Sequence, residues 1–217
     1  MVNIIIIVIA VVLLTGLLFF EKTGNRKGVI PTKTILSCFF VITVIVQPHP
    51  VPSYYHLLLA GLILCLVGDF FLALPQKVMF LAGLISFLLG HVLYVLAFFS
   101  VASMSGLIWP GVAVVLLVSG SVFLWLRPHL GGMKVPVFFY VVIISLMVVG
   151  AWSILIDCSL TIESRVVIFV GALLFYFSDI FVARDRFLKK EFLNRLIGLP
   201  LYYVGQFLLA FSVGLIG

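Results

Sequence analysis

Apolar residues along this chain come in long unbroken runs, separated by short polar breaks. Eight runs stand out, at about 2–20, 29–47, 55–74, 78–100, 107–126, 135–155, 166–183 and 197–216. Each is close to the roughly 20 residues with which an α-helix crosses the hydrocarbon of a bilayer. The breaks have local causes. Residues 21–28 are charged and carry Gly24 and Gly28, and Pro48, Pro50 and Pro52 cannot sustain a helix between them. Pro75-Gln76-Lys77 forms a tight turn, residues 127–136 mix charge with Gly131-Gly132, and residues 183–195 are the most polar stretch. The weakest break, 101–106, holds only small polar residues and Gly106, and without it the count falls to seven. The pattern predicts an all-α, polytopic bundle of eight transmembrane helices, forming one transmembrane domain over residues 1–217.

Composition excludes the soluble alternatives. Of 217 residues, 65% are hydrophobic and 9% charged, whereas a soluble domain is about a quarter charged. The chain therefore needs a lipid bilayer around it, and eight spans leave no room for a soluble domain. The net charge of +6 would suggest nucleic acid in a soluble protein; here its distribution matters more. Lys22, Arg26, Lys27, Lys77, Arg127, Lys134, Arg184, Arg186, Lys189, Lys190 and Arg195 all fall in alternate loops, leaving Arg165 on the other side and Lys33 within a helix. By the positive-inside rule those loops are cytoplasmic and both termini extracytoplasmic, in the cell membrane. No nucleic-acid or protein partner is indicated. The start lacks the basic segment and cleavage site of a signal peptide and reads as a retained first helix. Cys38, Cys65 and Cys158 form no pairwise motif.

The chain echoes itself. Gly68-Asp69-Phe70-Phe71-Leu72-Ala73 resembles Ser178-Asp179-Ile180-Phe181-Val182-Ala183, and Gly90-His91 resembles Gly205-Gln206. The echoes preserve helix orientation and so predict a parallel repeat of four plus four helices.

Ionisable groups inside a membrane are costly and mark function. Lys33, Asp69 and Asp179 lie within predicted spans, each five or six residues from a boundary on the same side. At about 1.5 Å per residue that puts all three in one layer, roughly 7–9 Å deep. Lys33 taken alone reads as an anchor whose amine reaches the interface. An Asp is too short for that, and a pair at matched depth predicts a shared polar site in which one carboxyl serves as acid and the other as base. His91 lies roughly 21 Å along its helix from Lys77, beyond that layer. It fits a helix–helix contact beside Ala82, Ser86 and Gly90 as readily as a pocket. Tyr94, Tyr176 and Gln206 are candidate pocket residues, with Tyr202 and Tyr203 undecided between pocket and interfacial belt. Asp157 and Glu163 read as solvated loop residues. The nucleophile-elbow, zincin and Walker motifs are absent from the sequence.

Gly68-Asp69 with Leu72, Phe80-x-x-Gly83-x-x-x-Phe87 leading to His91-x-x-Tyr94, and Gly171-Ala172-x-x-Phe175-x-x-Ser178-Asp179 together resemble the YhhN family. The resemblance runs from the second helix to the eighth. It departs from the family where Lys followed by Pro is expected and the chain has Pro31-Thr32-Lys33-Thr34. That family is an eight-helix group that includes the lysoplasmalogenases. The resemblance implies hydrolysis of the vinyl ether of a lysophospholipid; for that chemistry the residues read above offer Asp69 and Asp179 as catalytic and Lys33, His91, Tyr94, Tyr176 and Gln206 as substrate-binding candidates. Lys33 then either holds the phosphate or keeps one Asp ionised. No metal or cofactor is required. The rival reading is a small proton-coupled transporter or flippase using the same Asp pair as a proton relay.

Overall fold

The computed structural model describes residues 2–103 and 105–216, and among them every regular element is helical. Eight α-helices follow in order: α1 Val2–Thr23, α2 Arg26–Val46, α3 Pro52–Ala73, α4 Lys77–Val101, α5 Ile108–Leu126, α6 Lys134–Leu155, α7 Ile162–Ala183 and α8 Phe192–Ser212. The weak break is real, since α4 ends at Val101 and α5 begins at Ile108. Helices α1 to α7 are long and apolar enough to cross a membrane. Helix α8 is not, because Tyr202, Tyr203 and Gln206 dilute its apolar run, and all three are buried inside the bundle. The outer faces are apolar in turn, with Ile4, Val12, Trp109 and Leu117 each more than half exposed.

Several helices begin before their apolar runs. Helix α2 starts at Arg26, α7 at Ile162 and α8 at Phe192, while α8 stops at Ser212 and not at residue 216. Charged residues can stay in a helical end turn while their heads reach water, so the first long break shrinks to Gly24 and Asn25. Gly24 takes the left-handed backbone (φ 68°) that a glycine adopts without strain. Asn25 then caps α2 by accepting from the Gly28 amide at 3.3 Å. Asp157 also differs from expectation, being buried instead of solvated. Its carboxylate accepts from the Ser159 hydroxyl (2.6 Å), the Ser159 amide (2.9 Å) and the Ser103 amide (2.8 Å). Those donors tie the α6–α7 loop to the end of α4 and hold the carboxyl well below the usual carboxylate range.

Consecutive helices pack along the chain except at α4 and α5, where α4 packs on α6 instead, and the bundle closes through α8 against α2. The tightest contacts are two antiparallel hairpins. In α3–α4, Gly61 faces Gly90 and Gly68 faces Gly83; a Cβ on Gly90 would stand 3.0 Å from the Gly61 carbonyl oxygen. In α7–α8, a Cβ on Gly205 would stand 2.8 Å from the Gly171 carbonyl oxygen and 3.0 Å from the Phe175 amide nitrogen. Without side chains the backbones approach closely, which is what holds helices together where lipid removes the hydrophobic drive between them. Gly205→Ala is therefore expected to lower the thermal stability of the detergent-purified protein by about 1–3 kcal/mol. Gly120→Ala, on exposed α5 with open space around it, is expected to leave it unchanged.

Candidate active site

A cavity of about 490 Å³ opens at the end of the bundle between the α3–α4 and α7–α8 connections and the adjoining ends of α5 and α6, and it runs inward between the helices. Lys33, Asp69 and Asp179 all line it, so the three groups picked out by counting residues share one cavity. Tyr176 lines it too, whereas His91, Tyr94 and Gln206 are not among its lining residues.

The two carboxyls have unlike surroundings. Asp69 is buried and faces the Lys33 ammonium of α2 across 3.0 Å. Its other oxygen accepts from Ser37, one turn on from Lys33, at 2.5 Å and from the Tyr202 hydroxyl of α8 at 2.6 Å. One carboxylate thus joins three helices. Asp179 is only partly covered, on the cavity wall, and accepts from the Tyr140 hydroxyl of α6 at 2.5 Å. Among the described residues no cation pairs with it.

Behind Tyr202 lies a chain of donors. Gln206 donates to the Tyr202 hydroxyl (3.3 Å), and Tyr94 donates to the Gln206 carbonyl (2.9 Å). Tyr94 and Gln206 therefore act on the cavity through Tyr202. The Tyr202 ring is wedged edge-on against Phe87 (5.9 Å between centroids) and Phe175 (5.2 Å). His91 packs on the same Phe175 at 4.5 Å, and its Nδ1–H donates to the Phe87 carbonyl at 2.6 Å. On the far wall Tyr176, Ser119 and Ser145 form a hydroxyl string with 2.7 Å links, ending on the Val141 carbonyl.

Ser37, Tyr140 and Ser119 escape a reading of sequence that seeks charge. Two of them left a signal. Ser37 follows Lys33 by one helical turn, and Tyr140 lies six residues past Lys134, roughly 9 Å deep and so level with the carboxyls.

A sequence model of the YhhN family matches residues 29–213 of the chain. Among curated relatives, the chain is 31% identical over 159 residues to "Lysoplasmalogenase TMEM86A" of Bos taurus, covering 70% of this chain and 62% of that protein. It is 30% identical over 161 residues to proteins named lysoplasmalogenase from Mycobacterium bovis and Mycobacterium tuberculosis, covering 71% of this chain and 58% of theirs. The matched region thus spans 62% or less of these relatives' length. No solved structure matches the chain.

The Lys33–Asp69 pair makes a direct prediction. Removing one partner of a buried pair strands a charge, at about 3–5 kcal/mol, while replacing both by neutral groups is far milder. Lys33→Met is expected to lower the melting temperature in detergent sharply, and Lys33→Met with Asp69→Asn to recover most of the loss. A double variant no more stable than the single would show that the pair is not held as ions.

Proposed function

The chain belongs to the YhhN family, and from this we propose that it is a membrane-embedded lysoplasmalogenase-like hydrolase. It cleaves the vinyl ether of a lysoplasmalogen to a fatty aldehyde and a glycerophospho-alcohol. The observation that carries the mechanism is the pair of intramembrane carboxyls with unlike partners on one cavity. Asp179, with no cation among the described residues to balance a charge, is the proton donor; Asp69, paired with Lys33, is the carboxylate base.

The reaction balances on these two groups. The Asp179 carboxyl protonates the vinyl carbon remote from oxygen, leaving an oxocarbenium ion. Water adds to the cationic carbon while its proton passes to Asp69, giving a hemiacetal. The bond to the glycerol oxygen then breaks, with that oxygen taking the proton from Asp69 and the hemiacetal hydroxyl proton returning to Asp179. The net change consumes one water and restores both carboxyls. Tyr202 and Ser37 hold Asp69 in position, and Tyr140 does the same for Asp179. Lys33 pairs with the Asp69 carboxylate.

We read the cavity as opening to the cytoplasmic leaflet of the cell membrane, with both termini outside. The support is the concentration of basic residues in the loops at the cavity's end. We also read the chain as a parallel repeat. Its support is that the crossings Gly61–Gly90 and Gly171–Gly205 recur at the same spacings as the sequence echoes.

Aldehyde release from lysoplasmalogen by the purified protein tests the activity. General acid–base groups contribute about 10²–10⁴-fold. Asp179→Asn is expected to lose at least about 100-fold while staying folded, as is Asp69→Asn combined with Lys33→Met. A well-folded wild type that releases no aldehyde, but takes up solute into proteoliposomes on a pH gradient, would replace the hydrolase by the transporter. Topology has its own probe in Cys158, exposed in the α6–α7 loop, while Cys65 is buried. A membrane-impermeant maleimide added to intact cells is expected to label the wild type and not Cys158→Ser. Labelling only after lysis would invert the orientation.

A further inference from the structure

The basic stretch between α7 and α8 is built more specifically than a topology signal needs. Arg184 to Leu188 continue α7 as a π-helical turn, and residues 189–191 then lead into α8. Of its four cations and Arg195 in the first turn of α8, three are consumed locally. Arg184 pairs with Glu191 at 3.0 Å and donates to Asn194 at 2.7 Å, Lys189 pairs with Glu191, and Arg195 pairs with Asp185 at 2.9 Å. Asn194, itself buried, donates to the Lys189 carbonyl at 2.8 Å and pins the connection from below. Arg186 and Lys190 are different. Among the described residues neither pairs with a carboxylate, both are exposed, and both line the mouth of the cavity. The Arg186 guanidinium lies 4.1 Å from the Phe80 ring centroid. Stacking fixes its plane and leaves its N–H edge free, the form in which arginine grips an oxyanion.

Among the described residues the other lining cations are Lys33 and Arg195, already engaged by Asp69 and Asp185. An anion on the substrate therefore meets its free partners at the mouth. Arg186 is seven residues past Asp179, a helical rise of roughly 10 Å. A glycerol backbone together with the reach of an arginine side chain spans that gap, which puts the ether beside the carboxyls when the phosphate is at the mouth.

We propose that Arg186 and Lys190 form a phosphate seat that binds the headgroup of the lysophospholipid and fixes how deep its ether bond enters. The proposal rests on the hydrolase reading, but its test does not depend on turnover. Binding of a saturated alkyl-ether lysophosphatidylcholine, which has no vinyl ether to cleave, is measured by titration calorimetry in neutral detergent. The matched alkylglycerol without phosphate serves as control. Arg186→Met and Lys190→Met are each expected to weaken lysolipid binding at least tenfold and to leave alkylglycerol binding and the melting temperature unchanged. Arg186→Lys is expected to fall between wild type and Arg186→Met.

Unchanged lysolipid binding in both Met variants overturns the seat, and so does an equal loss of both ligands. If the same phosphate chemistry instead serves a bilayer lipid, the variants bind lysolipid normally and differ from wild type only after anionic phospholipid is added, which also overturns it. Absence of aldehyde release alongside the expected binding losses would sink the hydrolase reading and leave the phosphate seat standing.

Discussion

A carboxylate in hydrocarbon must be paired or it does not persist as an ion, and the architecture around Asp69 follows from that requirement. Its counter-ion comes from α2 and its remaining hydrogen bonds from Ser37 on α2 and Tyr202 on α8. These contacts draw together helices adjacent in sequence and helices from opposite ends of the chain. The buried tail of the network, Tyr202 to Gln206 to Tyr94, extends the same constraint to α4. It also bears on why α8 alone of the eight falls short of the apolarity of a span: its polar Tyr202, Tyr203 and Gln206 are spent on the interior and not on lipid contact.

Asp179 shows what happens when the constraint is relaxed. It has one tyrosine donor, an open face toward the cavity and, among the described residues, no cation. Where two hairpins are built alike around glycine crossings, the difference between the two aspartates comes from what faces them: Lys33 and Ser37 on α2 against Tyr140 on α6. That division is what lets similar local frames carry opposite roles in the proposed chemistry.

The number and length of the helices were legible because bilayer thickness sets them, and the meeting of Lys33, Asp69 and Asp179 on one cavity was legible because residues counted along a helix measure depth. Rotation about the helix axis was not. A span apolar on every face carries no stripe to say which side turns inward, so Tyr94, Gln206 and His91 looked as eligible for the cavity as Tyr176. Only packing separates them. The serine hydroxyls were hidden for a related reason, since a serine in an apolar run can satisfy itself on its own helix backbone. Ser37 and Ser145 do so while also reaching across to a neighbour. The early helix starts at Arg26 and Phe192 show the opposite error, in which polarity was taken for the end of a helix although the backbone runs on.

The order in which these contacts become available bears on how the protein is made. Synthesis proceeds from the N-terminus, and early segments begin to assemble before later ones exist. Asp69 finds its ammonium on the helix just before its own, whereas its Tyr202 partner lies 133 residues further along the chain. The nascent chain thus carries a neutralised carboxylate through insertion instead of a bare charge. Its final donor arrives with the last hairpin, so the site closes only when the bundle does.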